Sequence, residues 1–209
     1  MNTNQIDEIR SWLGTGSINI FGRQYAGKDT QCELLAKDFG GAVISGGDVL
    51  RKSVIPQHVA EAINAGHFSP TDEYRAIVTP YLSKSEFVGI PLFLSTLGRM
   101  KGEETTIIEA ARKSGHEIKA VIFLDISEEM VWQRYHDSKL NNTRDVRDDD
   151  DDEALARRLK LFNESTIDVI NHYRELGLLI DIDGTPDTET VYKNILTELH
   201  KLATRNSLN

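Results

Sequence analysis

The stretch Ile18-Asn19-Ile20-Phe21-Gly22-Arg23-Gln24-Tyr25-Ala26-Gly27-Lys28-Asp29-Thr30-Gln31 decides how the rest of the chain is read. A short apolar run meets a turn bounded by two glycines, then a lysine, then a pattern that reads as helix. Such a junction holds phosphate: turn N–H groups point inward, the helix start adds its positive dipole end, and the lysine adds a full charge. The spacing is close to the template G-x-x-x-x-G-K-S/T, with Asp29 inserted before the hydroxyl of Thr30. Taken alone, the stretch also fits an ordinary strand-to-helix turn, so the decision rests on its surroundings.

Working outward, 209 residues fit one core domain with small inserted subdomains. The apolar and charged fractions, 39% and 27%, are those of a soluble globular protein. Cys32 is the only cysteine, so neither a disulfide framework nor a cysteine zinc site can form within one chain. Together with the lack of a membrane-length apolar run or a signal-peptide pattern, this gives a cytoplasmic expectation with no membrane partner. A net charge of −9 argues against a broad nucleic-acid surface. It leaves room for a small anionic ligand in a cleft whose field is set by a few arginines.

Residues 6–13 carry apolar positions at helical spacing, residues 18–21 form the first strand, and 30–39 the helix after the turn. Residues 42–45 read as a second buried strand, and 47–87 as a small helical insertion broken at Pro56, Gly66 and Pro70. A third strand is expected at 90–94, a helix at 103–113, and the clearest buried strand at 120–124. A helix begins at Glu128. Residues 137–152 read as an acidic loop, whose run from Asp148 to Asp152 leads into a helix N-terminus. One long helix over 153–176 places Leu155, Leu159, Phe162, Val169, Tyr173 and Leu176 near one face, and Gly177 ends it. A last strand at 178–182 and a closing helix at 191–202 complete the chain. Short buried strands alternating with helices predict an α/β fold with a doubly wound parallel sheet of about five strands.

Basic residues recur after the strands: Arg51, Arg99, Arg134, Arg144, Arg147 and Arg158. In a doubly wound sheet the strand ends share one edge, so these arginines converge on one cleft. Phosphoryl transfer needs that arrangement, because it is driven by positioning and charge neutralisation. A single arginine is more often a solvated surface residue, and the case rests on their joint spacing.

The ordered set of motifs resembles the adenylate kinase family of nucleoside monophosphate kinases over nearly the whole chain. Residues 22–31 look like its phosphate loop, and Ile44-Ser45-Gly46-Gly47-Asp48-Val49-Leu50-Arg51 like its Ile-Ser-Thr-Gly-Asp-Met-Leu-Arg segment. Ala65-Gly66 with Thr71-Asp72-Glu73 resembles the later part of the same helical subdomain. Leu97-Gly98-Arg99 takes the place of Phe-Pro-Arg, and Val131-Trp132-Gln133-Arg134 that of the helix packing on the donor base. Arg147-Asp148-Asp149-Asp150, Glu153 and Arg157-Arg158-Leu159 are similar to the Arg-x-Asp-Asp…Glu…Arg-Leu signature, and Asp183-Gly184-Thr185 to the final turn beside the donor adenine.

The resemblance implies a P-loop NTPase fold and reversible, Mg²⁺-dependent transfer of the ATP γ-phosphoryl group to AMP or another nucleoside monophosphate. Its core would be residues 1–46, 88–136 and 148–209, its acceptor-binding insertion 47–87, and its short lid 137–147. Gly22, Gln24, Tyr25, Ala26, Gly27, Lys28, Asp29 and Thr30 would hold the donor phosphates, with Arg134 and Thr185 at the donor base. Gly46, Arg51, Gly66, Thr96, Arg99 and Glu103 would hold the acceptor. Lys28, Arg99, Arg147 and Arg158 would act on the transferring group, and Thr30 would sit beside Mg²⁺, with Asp29 or Ser95 reaching it through water. The expected partners are ATP and the monophosphate alone, and the expected state is a monomer.

Four departures from the family pattern stand out. Tyr25 and Asp29 stand where the loop usually has glycine. Ser95-Thr96 replaces Asp-Gly, and the missing aspartate normally holds Mg²⁺ through water; Asp29 is the residue that could compensate. Glu103 replaces the glutamine that reads the edge of the AMP base, and a carboxylate cannot donate to adenine N1. It can accept from guanine N1–H or N2–H₂, which weakens the AMP expectation; the alternative for Glu103 is a solvated helix residue. These departures leave open two other readings: a nucleotide sensor that binds without turnover, and a P-loop kinase of a non-nucleotide metabolite.

Overall fold

The computed structural model describes residues 3–53, 55–64, 71–141 and 151–206. Five strands, β1 (Ser17–Gly22), β2 (Ala42–Ser45), β3 (Leu92–Ser95), β4 (Ile118–Asp125) and β5 (Leu179–Asp183), form one sheet in the order β2-β3-β1-β4-β5. Every pairing is parallel. The helices are α1 (Thr3–Leu13), α2 (Lys28–Phe39), α3 (Gly46–Lys52), α4 (Gln57–Asn64), α5 (Thr71–Tyr81), α6 (Glu103–Lys113), α7 (Glu128–Asn141), α8 (Asp152–Leu161), α9 (Ile167–Glu175) and α10 (Thr188–Asn206).

The strand sequences explain the two-sided burial. In β4, Ala120, Ile122 and Leu124 face a cluster built with α1, α2, α7, α8 and α10, while Val121 and Phe123 face a second cluster with α3, α5, α6 and α9. A strand covered on both faces must be apolar at consecutive positions, which is the pattern a parallel sheet demands. In β1 the same alternation sends Ile18 and Ile20 to one side and Phe21 to the other, with buried Ser17 and Asn19 as the polar exceptions.

The register brings the strands to a common edge. Ser95 pairs with both Ile20 and Ser45, Gly22 with Leu124, and Asp125 with Asp183. The segments that follow β1 to β5 therefore leave the sheet at its carboxyl edge, where open α/β sheets place their crevice.

Several boundaries differ from expectation. The turn is shorter than read, because β1 runs through Gly22 and α2 starts at Lys28 rather than Thr30. The third strand lies at Leu92–Ser95, and the closing helix spans Thr188–Asn206. Residues 137–141 continue α7 instead of opening the acidic loop. Asp151 caps α8, its carboxylate accepting from Ala154 N at 2.6 Å, as an acidic lead-in to a helix requires.

The expected single helix over 153–176 is interrupted by a π-helical turn, Phe162–Thr166, and its apolar residues do not share a face. Leu155 and Leu159 pack with α7 and α10, whereas Phe162, Val169 and Tyr173 pack in the other cluster and Leu176 is exposed. A wider turn rotates the downstream residues about the helix axis, so one stretch serves both sides of the fold. No described helix is long and apolar enough to cross a membrane.

Candidate active site

The turn after β1 is built tightly against β4. A Cβ on Gly22 would lie 2.7 Å from the Leu124 carbonyl oxygen, so only glycine allows this approach. Gly27 caps α2 at φ 91° and ψ 15° and carries no side chain to take up a first-turn N–H. Those donors and the dipole end are thus presented to the turn's interior. Lys28 folds back over the turn, Nζ donating to the Arg23 carbonyl at 2.8 Å. Asp29 and Thr30 follow on the exposed first turn of α2.

Two other chain segments close on this turn. Arg134, from α7, donates to the carbonyls of Tyr25 at 3.0 Å, Gly184 at 2.8 Å and Thr185 at 3.1 Å. One guanidinium therefore ties the turn after β1 to the turn after β5, where Thr185 N donates to Asp183 Oδ1 at 2.9 Å. That turn's hydroxyl and amide hydrogen bonds from Thr185 hold the Asp183 carboxyl below its usual range. From the opposite side, Ser95 Oγ donates to Asp29 Oδ1 at 2.6 Å.

The loop after β3 is strained and braced. Thr96 adopts φ 54°, its amide and hydroxyl both reaching the Ile20 carbonyl, and Gly98 adopts φ 72°. Arg99 is half-buried within this loop. Glu103, at the first position of α6, is only 2% exposed, and its Oε2 accepts from Met100 N at 3.0 Å. The solvated alternative for Glu103 is thereby corrected: the short loop turns its carboxylate back onto backbone N–H instead of into water.

Gly46 begins α3 at the end of β2, and Arg51 lies within the same helix. Arg158 is half-buried in the last turn of α8. Gly66, Arg144 and Arg147, with the acidic residues 148–150, lie outside the described residues. Three residues at this edge escaped the sequence reading. Arg23 donates to Asp125 Oδ1 at 3.3 Å and the Ile126 carbonyl at 2.9 Å, and its guanidinium lies 5.0 Å from the Phe162 ring centre. Asn19 and Tyr74 bind the backbone of the Arg99 loop. The signal for Asn19 was its polarity inside an apolar strand; Arg23 and Tyr74 gave none.

A sequence model of the family described as adenylate kinase matches residues 20–178. An adenylate kinase of Kosmotoga olearia is 30% identical over 215 residues, covering 89% of this chain and all of the relative. One from Thermosipho melanesiensis is 28% identical, covering 88% and 100% respectively. A UMP-CMP kinase of Lentinula edodes is 27% identical, covering 88% of this chain and 86% of its own.

The chain belongs to the adenylate kinase family. It is accordingly an enzyme of the nucleoside monophosphate kinase kind. Against the family pattern, Tyr25 occupies a glycine position and keeps the glycine conformation, at φ 61°. Its ring meets Tyr135 edge-on at 5.7 Å, a packing contact that offsets part of the left-handed strain. Thr96, also at a family glycine position, retains a positive φ in the same way.

Proposed function

We propose that the protein transfers the γ-phosphoryl group of ATP, with Mg²⁺, reversibly onto a nucleoside monophosphate. The observation that carries this reading is the turn after β1: an uncapped helix start with Lys28 folded over it and a carboxylate, Asp29, at its rim. Residues 22–30 hold the donor phosphates, and Arg134 and Thr185 flank the donor base. Lys28 exchanges its bond to the Arg23 carbonyl for the transferring group. Arg51 and Arg99 clamp the acceptor phosphate, with Gly46, Gly66, Thr96 and Glu103 around the acceptor. Arg147 and Arg158 add positive charge over the transfer point. The insertion is residues 47–87 and the short lid 137–147, the latter entered through the end of α7.

The donor set at the rim fits Mg²⁺, a hard cation that binds one or two carboxylates and retains water and phosphate oxygens. Asp29 offers a carboxylate whose Oδ1 is already oriented by Ser95, and Thr30 adds an adjacent hydroxyl. The ion supplies charge neutralisation on the phosphates when bound. Among the described residues there is no group of three or more His, Cys, Asp or Glu side chains placed to hold a metal.

Glu103 supplies no donor for adenine N1, so this reading weakens the preference for AMP and favours testing a monophosphate that donates at that edge, such as GMP, and the deoxynucleotides. A coupled assay of ATP against AMP, GMP, CMP, UMP and the deoxynucleotides, with and without Mg²⁺, tests the proposal. Mg²⁺-dependent turnover of at least one monophosphate is the expected result. Tight nucleotide binding with no turnover of any acceptor would overturn it.

A further inference from the structure

The loop bearing Arg99 is gripped by three buried side chains from three different elements. The N–H groups of Leu97, Gly98 and Met100 donate respectively to Asn19 Oδ1 of β1 at 3.2 Å, Tyr74 Oη of α5 at 2.9 Å and Glu103 Oε2 of α6 at 3.0 Å. Asn19 Nδ2 returns a bond to the Leu97 carbonyl at 2.9 Å. Asn19, Tyr74 and Glu103 are 0%, 4% and 2% exposed, so water cannot replace any of them.

Gly98 is the point where this loop needs Tyr74. Where the family pattern has proline there is no N–H to satisfy, and φ is fixed near −65°. Gly98 instead sits at φ 72°, packed so closely that a Cβ would fall 2.9 Å from Ile107 Cγ1, and it brings a buried donor. The Tyr74 hydroxyl accepts it. The same hydroxyl lies against the first residue of α3, since a Cβ on Gly46 would come within 3.2 Å of Tyr74 Oη and 3.3 Å of the Thr96 carbonyl. One oxygen thus bonds the N–H next to Arg99 and faces the start of the helix containing Arg51, leaving no free room for a methyl there. Burial, with the Glu103 carboxylate adding to it, pushes the phenol well above its ordinary range, so it stays protonated.

We propose that the Tyr74 hydroxyl is a positioning group that fixes the Arg99 loop to the start of α3 and thereby sets the acceptor-phosphate clamp. This rests on the reading of Arg51 and Arg99 as that clamp. The helical insertion then contributes to the clamp from beneath as well as through Arg51.

Tyr74→Phe keeps the ring and removes the brace. Tyr81→Phe, on the same helix with its ring against Phe87, is the control for losing a tyrosine hydroxyl. Amide hydrogen exchange over residues 97–100 and separate KM values for acceptor and ATP are the readouts. An unpaired buried N–H predicts exchange and acceptor KM each rising about tenfold in Tyr74→Phe, with ATP KM within about twofold of wild type. Gly46→Ala, which presses a methyl on the hydroxyl without emptying the core, is expected to speed exchange over the same residues and decides the matter if Tyr74→Phe does not fold. Unchanged exchange, or acceptor and ATP KM rising together, overturns the proposal. If wild type phosphorylates no monophosphate, the proposed function fails while the exchange comparison still decides the brace.

Discussion

Ser95 Oγ donates a 2.6 Å hydrogen bond to Asp29 Oδ1, joining the carboxyl end of β3 to the first turn of α2. The resemblance to the family implies a carboxylate at position 95 that holds Mg²⁺ through water. Here the strand supplies a hydroxyl and the facing helix the carboxylate it bonds, and under the proposed function Asp29 takes the place of that aspartate from the opposite wall. The N-terminal dipole of α2 favours an anion in its first turn.

Asp29→Asn is therefore expected to lower kcat/KM by roughly 10–100-fold, about 1.4–2.7 kcal/mol of transition-state stabilisation, and to raise the Mg²⁺ concentration needed for half-maximal rate. The double variant Asp29→Gly, Ser95→Asp moves the carboxylate back to the strand and should recover most of the loss. Mg²⁺ titrations of activity and of ATP binding measure both. A double variant no better than Asp29→Gly alone would rule out the exchange of walls.

Tyr25 at φ 61° separates two costs that usually travel together. Tyr25→Gly loses the ring contact with Tyr135 but relieves the left-handed backbone, whereas Tyr25→Ala loses the ring and keeps the strain. The alanine variant should be less stable than the glycine variant by about 1 kcal/mol, although alanine is the better residue elsewhere. Urea unfolding of the two variants reads the difference directly, and equal midpoints would mean that the turn relaxes out of the left-handed region.

The sheet was legible because Ala120-Val121-Ile122-Phe123-Leu124 has no polar position to expose, and only burial on both faces permits that. The phosphate-binding turn was legible because glycine is needed where backbone approaches backbone, as at Gly22 against Leu124. Less local features escaped. Asn19 meets the Leu97 backbone across 78 positions of sequence, and no spacing rule links the two. The π-helical turn escaped because Leu155, Leu159, Phe162 and Val169 sit at regular helical spacing although they end in different clusters. Only the solvated alternative for Glu103 fails: an acidic residue at a helix start is usually exposed, but here its carboxylate accepts from Met100 N of the preceding loop and is buried.

Acid should loosen the end of the fold that carries the β5 turn. Asp187 caps α10, its Oδ2 accepting the Thr190 hydroxyl at 2.7 Å and its Oδ1 the amides of Glu189 and Thr190 at 3.0 Å each. These bonds, the Thr190 hydroxyl first, hold its carboxyl below the ordinary range. A carboxyl lowered in the folded state contributes stability that is complete above its unfolded value, about 4, and is lost as pH falls through the folded value. Asp187→Asn keeps the cap but cannot titrate, so its urea midpoint should fall less than that of wild type between about pH 5 and pH 2. Parallel curves would remove Asp187 from the acid response.

Glu103 carries the last prediction, because the base reading proposed for its carboxylate is separable from its bond to the loop. Oε2 accepts from Met100 N, and a glutamine oxygen can do the same, so Glu103→Gln should leave the Arg99 loop and the unfolding midpoint close to wild type. The change falls on the other end of the side chain, which gains two N–H donors and loses its charge. An acceptor base that presents a lone pair, as adenine does at N1, then gains a partner, while a base presenting N–H loses one. A hydrogen bond made or left unpaired in a buried site is worth about 1–3 kcal/mol, so the ratio of kcat/KM for AMP over GMP should rise at least about tenfold. Rates measured for both acceptors at saturating ATP give the ratio. If it stays constant while the midpoint is unchanged, Glu103 serves the loop alone and the acceptor base is read by other residues.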